Sequence, residues 1–297
     1  MGMFKNKIST FTKLKLEDKK EWDLVLTPSK SWFDFNFEEI LKYRDLLILF
    51  VRRDIVSLYK QTVFGPLWYF IQPIFSTIVF TFIFGNLAGI STNGIPRPLF
   101  YLLGITIWNY FSECLIKTST VFKDNAAIFG KVYFPRIIMP LSIVISNLFK
   151  LLIQLVLFFI LLIYYLYQGS IIDLSSVFFV FPVFIILMAF QGLGLGMVVS
   201  ALTTKYRDLA FAVTFGVQLL MYATTVIYPL NSLKGIAFKI VLLNPITSII
   251  EGLRYCLIGD GLFTFNSILY ATVSSFGILF VGFVVFNKVE RSFIDTV

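Results

Sequence analysis

Long apolar stretches recur along this chain and alternate with shorter polar ones. The first stretch, residues 67–87, has 21 residues and carries no charge. About 20 apolar residues are needed to cross the hydrocarbon core of a bilayer. Stretches of similar character lie at residues 99–116, 137–167, 177–202, 209–228 and 268–286. The pattern predicts an all-α polytopic membrane protein with six transmembrane helices.

A weaker apolar pattern precedes the first span. Over residues 37–58, apolar side chains recur at intervals of three and four, which places them on one face of a helix. Asn36 is a favourable N-cap, and Glu39 occupies the capping-box position three residues later. We expect an amphipathic helix in the plane of the lipid headgroups; the alternative is a surface helix packed on protein. Residues 1–33 are polar and lysine-rich, and we expect a cytosolic tail there.

The segment 229–262 has a different character from the spans. It contains two semi-apolar pieces, about 233–243 and 246–258, which are divided by Asn244 and Pro245. Each piece is too short to span, and pieces of about 10–14 residues are typical of re-entrant or interfacial segments. The segment therefore predicts a re-entrant helical hairpin before the last span.

Some polar side chains fall inside the predicted spans. A carboxylate near lipid is costly, so we expect Glu113 to face protein or water. Polar residues recur every four positions in the third span, at 142, 146, 150 and 154, and this stripe cannot face lipid. Lys150 belongs to the stripe and is a candidate partner for Glu113. In the fourth span, Gly192 and Gly196 have the spacing of close helix packing.

Composition supports the membrane class and narrows the chemistry. Hydrophobic residues make up 58% of the chain and charged residues 14%, whereas soluble domains average about 25% charged. The chain has no histidine and only two cysteines, so we expect no metal or cofactor on it. It also lacks the G-x-x-x-x-G-K-[ST] phosphate loop, so ATP hydrolysis by that route is excluded.

The distribution of positive charge predicts the orientation. Six spans place both termini on one side, and that side collects 20 of the 25 lysines and arginines, against four on the other. Because cytosolic loops carry the excess of these residues, we expect both termini in the cytosol. This bias accounts for the net charge of +8 without a nucleic-acid partner.

Several short motifs occur in a specific order over about residues 40–287. They are YRD at 43–45, YKQT at 59–62, GPLW at 65–68, GKVYFPR at 130–136, KYRD at 205–208, NP at 244–245 and EGLR at 251–254. The ordered set resembles the permease subunit of type-2 ABC exporters, in the branch that exports polysaccharides and polyol phosphates. Members of this branch export O-antigen, capsule or teichoic acid.

The resemblance implies an assembly and a substrate. It implies a six-helix transmembrane domain over residues 66–297, preceded by amphipathic interface and gate helices at 34–65. Two copies of the chain would bind two copies of a separate ATPase, which carries the ATP and Mg²⁺. The chain would be a translocase subunit rather than an enzyme. The substrate would be a polysaccharide on a polyprenyl pyrophosphate carrier, O-antigen foremost, moved from the cytosolic to the outer leaflet of the bacterial inner membrane.

The resemblance also implies roles for individual residues. Arg52, Arg53 and Lys60 are placed to meet the pyrophosphate. The loop after the second span would contact the ATPase, through Gly130, Lys131, Phe134, Pro135 and Arg136. Aromatic side chains suit sugar rings, and the candidates to line the glycan path are Trp68, Tyr69, Phe70, Phe75, Tyr101, Trp108, Tyr110 and Phe111.

Three alternatives stay open at this point. The first is a type-2 ABC permease for teichoic acid, a lipid or a drug. The second is a polytopic membrane enzyme of glycan assembly, which would need catalytic groups in an outer loop, where only Glu251 and Asp260 are available. The third is an ion-coupled secondary transporter, which would usually show an internal repeat and buried carboxylates.

Overall fold

A computed structural model describes residues 37–57, 60, 63–170, 172, 174–206, 208–259 and 262–294. The predicted tail at 1–33 and the predicted cap at Asn36 lie outside these ranges. Within them every regular element is helical, and no β-strand occurs. The helices are α1 (Phe37–Lys42), α2 (Arg44–Ser57), α3 (Trp68–Phe80), α4 (Arg97–Ser119), α5 (Val121–Asp124), α6 (Ala126–Phe129), α7 (Ile138–Tyr167), α8 (Leu174–Lys205), α9 (Leu209–Tyr222), α10 (Gly235–Leu242), α11 (Pro245–Ile258) and α12 (Phe265–Ile294).

The helices confirm the predicted all-α polytopic membrane protein. In the described part of the chain, five helical stretches are long and apolar enough to cross a bilayer. They are Gly65–Leu87, Arg97–Ser119, Ile138–Tyr167, Val180–Lys205 and Phe265–Glu290. The first includes α3, a short 3-10 turn before it and a π-helical segment, Thr81–Leu87, after it. The connector helices α5 and α6 lie at one end of the bundle, the connector end, and α10 and α11 lie at the other, the hairpin end.

The segment predicted as a re-entrant helical hairpin contains two short helices, α10 and α11. The two helices meet at an angle of 90°. Asn244 caps α11 by accepting a hydrogen bond from the Ile246 amide at 3.1 Å, and Pro245 follows at the first helical position. The pair counts as a sixth span only if the two bent helices are taken as one.

The fifth predicted span is shorter than the sequence indicated. Helix α9 ends at Tyr222 rather than Tyr228, and its 14 residues extend about 21 Å, less than a hydrocarbon core of about 30 Å. Residues 224–227 continue as buried, non-helical chain. The apolar pattern runs through this break, so hydropathy alone could not show it.

A buried arginine stabilises the break. Arg254, on α11, donates a hydrogen bond to the Val226 carbonyl at 2.9 Å and another to the Thr225 carbonyl. It also pairs with Glu251 at 3.3 Å, and its guanidinium lies 3.5 Å from the centre of the Phe100 ring. Non-helical backbone at membrane depth is tolerated where the protein satisfies its polar groups, and Arg254 does so here.

Helix α8 approaches two neighbours at very short range. A Cβ atom at Gly192 would lie 3.1 Å from the Phe111 carbonyl oxygen, and one at Gly196 would lie 3.0 Å from that of Leu115, both on α4. The close packing predicted for these two glycines is confirmed. Gly194 lies about 200° around the helix from Gly192 and contacts α12, where a Cβ at Gly282 would stand 2.9 Å from the Gly194 Cα. The backbone of α8 therefore touches a helix on each side.

The two glycines of α12 provide a matched test of this contact. Gly282→Ala places a methyl group against the Gly194 backbone, and we expect a loss of stability of about 1–3 kcal/mol from overpacking. Gly277→Ala meets no atom within 4 Å and should be neutral, or stabilising by up to about 1 kcal/mol through helix propensity. Thermal unfolding of the two variants in detergent measures the difference. Equal unfolding temperatures would contradict the close approach of α8 and α12.

Candidate functional site

The loop at the connector end is anchored by aromatic side chains. Phe134 is only 4% exposed, and its ring centroid lies 5.7 Å from those of both Phe50 and Phe129. Phe122 stacks on Phe286 of α12 at 4.7 Å. These rings form one buried cluster that joins α2, the connector helices, α7 and α12. The cluster fixes the loop to three other helices.

Arg136 provides a second anchor for the loop. Its side chain is buried and donates a hydrogen bond to the Glu290 carbonyl at 2.9 Å, and its guanidinium lies 5.3 Å from the Phe129 ring centre. Burial lowers the pKa of the Arg136 guanidinium below its ordinary value, and the Glu290 charge opposes this effect. Arg136 therefore holds the loop from inside the bundle, as Phe134 does.

The structure divides the predicted coupling residues into two sets. Phe134 and Arg136 face inward, and Pro135 is half-buried. Gly130 and Lys131 are exposed. Two exposed side chains between the sets, Val132 and Tyr133, were not among the predicted residues. The accessible part of this loop is thus residues 130–133.

The predicted phosphate-binding cations do not share one environment. Arg53 is paired with Asp54 through two hydrogen bonds, at 2.7 and 2.9 Å, and lies 4.9 Å from the Phe50 ring centre. Arg52, on α2, and Lys60, beyond its end, are exposed. The helix itself packs on α7 through Phe50, while its opposite face exposes apolar side chains. All three cations are exposed, and Arg53 differs in being engaged by a carboxylate.

The first span exposes a face that combines aromatic and amide groups. Trp68 is 50% exposed and Phe75 is 64% exposed. Gln72 lies between them at helical spacing and is also exposed. Of the other predicted aromatics here, Phe70 is half-buried and Tyr69 is buried. Gln72 was not among the predicted path residues, although its position between two aromatics on one helical face is visible in the sequence.

The predicted aromatics of the second span have a different position. Tyr101, Trp108 and Phe111 are buried in the core, where Trp108 and Phe111 lie 5.3 Å apart. Helix α4 is packed by α3, α7 and α8, so most of its side chains face protein. These three side chains pack within the core of the chain, and their place on a glycan path stays a prediction. Tyr110 is also buried, but it borders the polar cleft described next.

A polar cleft opens between α4 and α7. Its central contact is an ion pair between Glu113 and Lys150, the partners that the sequence suggested. Lys117 lies 3.5 Å from the second Glu113 carboxylate oxygen and donates a hydrogen bond to Asn147 at 3.1 Å. The Lys150 ammonium lies 5.0 Å from the ring centre of Tyr69, on α3. The remaining lining residues are Asn109, Tyr110, Leu151 and Gln154.

The comparison with known proteins decides the family. The profile described as ABC-2 type transporter matches residues 45–258, about seven-tenths of the chain. The chain belongs to the ABC-2 type transporter family. It is therefore the membrane permease of an ABC transporter, not an enzyme, and such a permease works with a partner ATPase.

Curated relatives of this ABC-2 permease cover most of its length. It is 28% identical over 253 residues to the O-antigen export system permease protein RfbA of Klebsiella pneumoniae, covering 84% of this chain and 94% of the relative. It is 28% identical over 214 residues to the protein of the same name from Myxococcus xanthus, covering 71% and 79% of the two chains.

The connector end of the permease provides a test of the division between anchored and exposed residues. Phe134→Ala removes a core ring and should destabilise the permease by about 3–5 kcal/mol. Tyr133→Ala, at a side chain that is 57% exposed, should change stability by no more than about 0.5 kcal/mol. Thermal unfolding of the purified chain compares the two variants. A larger loss of stability for Tyr133→Ala than for Phe134→Ala would show that Tyr133, rather than Phe134, is the buried side chain.

Proposed function

We propose that this permease is the transmembrane subunit of an ATP-driven exporter of polysaccharide linked to polyprenyl pyrophosphate, O-antigen foremost. The substrate moves from the cytosolic to the outer leaflet of the bacterial inner membrane. The observation that carries the proposal is the exposed face of Trp68, Gln72 and Phe75 within the first span. The names of the two relatives support the same substrate class.

The chemistry of this face suits a sugar chain. An exposed amide at membrane depth is unfavourable against lipid, because a polar group without a hydrogen-bond partner costs free energy there. The face must therefore border protein or a hydrated path. Sugar rings present apolar C–H faces, which stack on aromatic rings, and hydroxyl edges, which hydrogen-bond to an amide. Trp68, Gln72 and Phe75 offer both kinds of contact in one helical row.

The cations before the first span suit the carrier end of the substrate. Arg52 and Lys60 are exposed, and guanidinium and ammonium groups bind phosphate well. In the proposed orientation the connector end is cytosolic, since it holds the lysine- and arginine-rich loops. The pyrophosphate would be held at this surface by Arg52 and Lys60 while the glycan enters beside α3.

The assembly follows from the same orientation. Two copies of the permease would bind two copies of the ATPase, which supplies ATP and Mg²⁺, with both termini of the permease in the cytosol. The exposed loop residues 130–133 would contact the ATPase. Phe134 and Arg136 would transmit force from this contact, because they connect the loop to α2 and α12.

Export by variants of the first span tests the proposal. An aromatic contact contributes about 0.5–1.5 kcal/mol, so loss of both rings in Trp68→Ala/Phe75→Ala should reduce glycan export roughly tenfold or more. Ile160→Ala alters an equally exposed apolar residue on α7 and should leave export unchanged. Surface glycan is measured in cells that depend on this permease.

Two outcomes would contradict the proposal. Unchanged surface glycan in the double variant would remove the sugar role of this face. ATPase stimulation of the wild-type complex by a lipid or drug, with none by the lipid-linked glycan, would favour the alternative permease functions.

A further inference from the structure

The exposed side of α4 is almost entirely polar. From Leu99 to Ser119, the side chains that are not buried are Asn109, Ser112, Glu113, Ile116 and Lys117. Their spacing of three, one, three and one places them on one helical stripe, about 12 Å long. The stripe faces the polar side of α7, where Asn147, Lys150 and Gln154 line the same cleft. Two adjacent spans therefore turn polar faces toward one opening.

The opening must meet something other than lipid. Glu113 is 27% exposed and Lys150 is 16% exposed, although both lie within spans. Charged groups in spans face a protein interior or a water-filled cavity, because their exposure to hydrocarbon is costly. An ion pair that served only to join α4 to α7 would need neither this exposure nor the surrounding amides.

The hydrogen-bonding groups of the cleft indicate the class of ligand. Glu113 and Lys150 place an acceptor beside a donor, and the half-buried Asn109 amide can donate and accept hydrogen bonds. Asn147 is already bonded to Lys117 and Cys114, and Gln154 is buried, so these two amides form the back of the cleft. Lys117 is half-exposed at the end of α4, where water can hydrate its charge. A wall that includes a carboxylate acceptor as well as donors matches hydroxyl groups, which both donate and accept hydrogen bonds, better than phosphate, which is itself anionic.

Size and position connect the cleft with the face of the first span. The cleft has about 10 Å³ of free volume, which is room for one water-sized group, whereas sites for whole drug-sized ligands have about 300–1,000 Å³. It can therefore accept a single hydroxyl group from a passing chain. Tyr69 lies beside Lys150 and is the neighbour of Trp68 in sequence, so the cleft adjoins the start of the aromatic face.

We propose that the cleft between α4 and α7 is a subsite for the hydroxyl groups of the sugar chain. The Glu113–Lys150 pair and Asn109 recognise the sugar as it enters from the connector end. This inference rests on the proposed function, and it adds a second, hydrogen-bonding wall to the aromatic one. In this arrangement the cleft provides specificity for the glycan. The cations before the first span bind the phosphate of the carrier.

The test separates sugar recognition from carrier recognition. The complex of permease and ATPase is reconstituted in lipid vesicles, and ATPase stimulation is titrated with lipid-linked glycan or with bare polyprenyl pyrophosphate. Glu113→Gln/Lys150→Met replaces the ion pair with neutral groups of similar shape; Lys117 loses its contact with the Glu113 carboxylate, but its side chain is half-exposed and stays hydrated. Asn109→Leu changes the cleft without touching the pair. Lys234→Gln, which removes an exposed cation at the hairpin end, is the control.

The proposal predicts a selective effect. In both cleft variants, the concentration of lipid-linked glycan that gives half-maximal stimulation should rise about tenfold, while that of the bare carrier stays unchanged. Equal weakening for glycan and carrier would show a phosphate site or a general structural role, and would overturn the proposal. No change for the glycan, or failure of both variants to assemble with the ATPase, would leave a packing role only and would also overturn it.

The wild-type complex distinguishes this inference from the proposed function. If lipid-linked glycan does not stimulate the wild type at all, the proposed function fails, and the subsite fails with it. If lipid-linked glycan stimulates the wild type and the cleft variants to the same extent, the proposed exporter function is supported and only the proposed subsite is contradicted.

Discussion

The close approach of α8 to two neighbouring helices is the contact on which the rest of the bundle depends. In lipid, apolar surface gains little from association, so helices hold together through tight packing and buried polar contacts. Gly192 and Gly196 admit the backbone of α4 on one side, and Gly194 meets Gly282 of α12 on the other. The contact with α8 covers one side of α4, and α3 and α7 cover further parts of it. It also brings the end of α12 to the connector loop, where Phe286 stacks on Phe122 and the Glu290 carbonyl accepts from Arg136.

Charged groups within the bundle serve two different purposes, which their surroundings distinguish. Arg254 is enclosed, and carbonyl groups, a carboxylate and an aromatic ring surround it, so it stabilises the non-helical chain after α9. Glu113 and Lys150 also pair, but they border an opening lined by amides. The contacts of Arg254 hold the backbone in place at the hairpin end of the bundle. The Glu113–Lys150 pair borders a polar cleft that opens toward the connector end.

Sequence reasoning was most successful where one strong physical constraint acts. The need for about 20 apolar residues located four of the spans within a few residues of the helices observed, and the Asn244–Pro245 pair located the bend of the hairpin. It failed where the deciding partner is distant in the chain. The early end of α9 depends on Arg254, and the contact of Gly194 with Gly282 joins residues on different helices. The aromatics of α4 and α3 look alike in sequence, yet Trp108 lies in the core and Phe75 is exposed, and apolarity alone does not distinguish the two positions.

The central claim is that this permease works as part of an ATP-driven glycan exporter. Native mass spectrometry of the complex, extracted gently from its own membrane, tests it most directly. The account predicts two copies of this chain with two copies of a phosphate-loop ATPase, and a retained polyprenyl-linked glycan would identify the substrate. A single chain, with no ATPase bound after extraction and none stimulated on reconstitution, would contradict it.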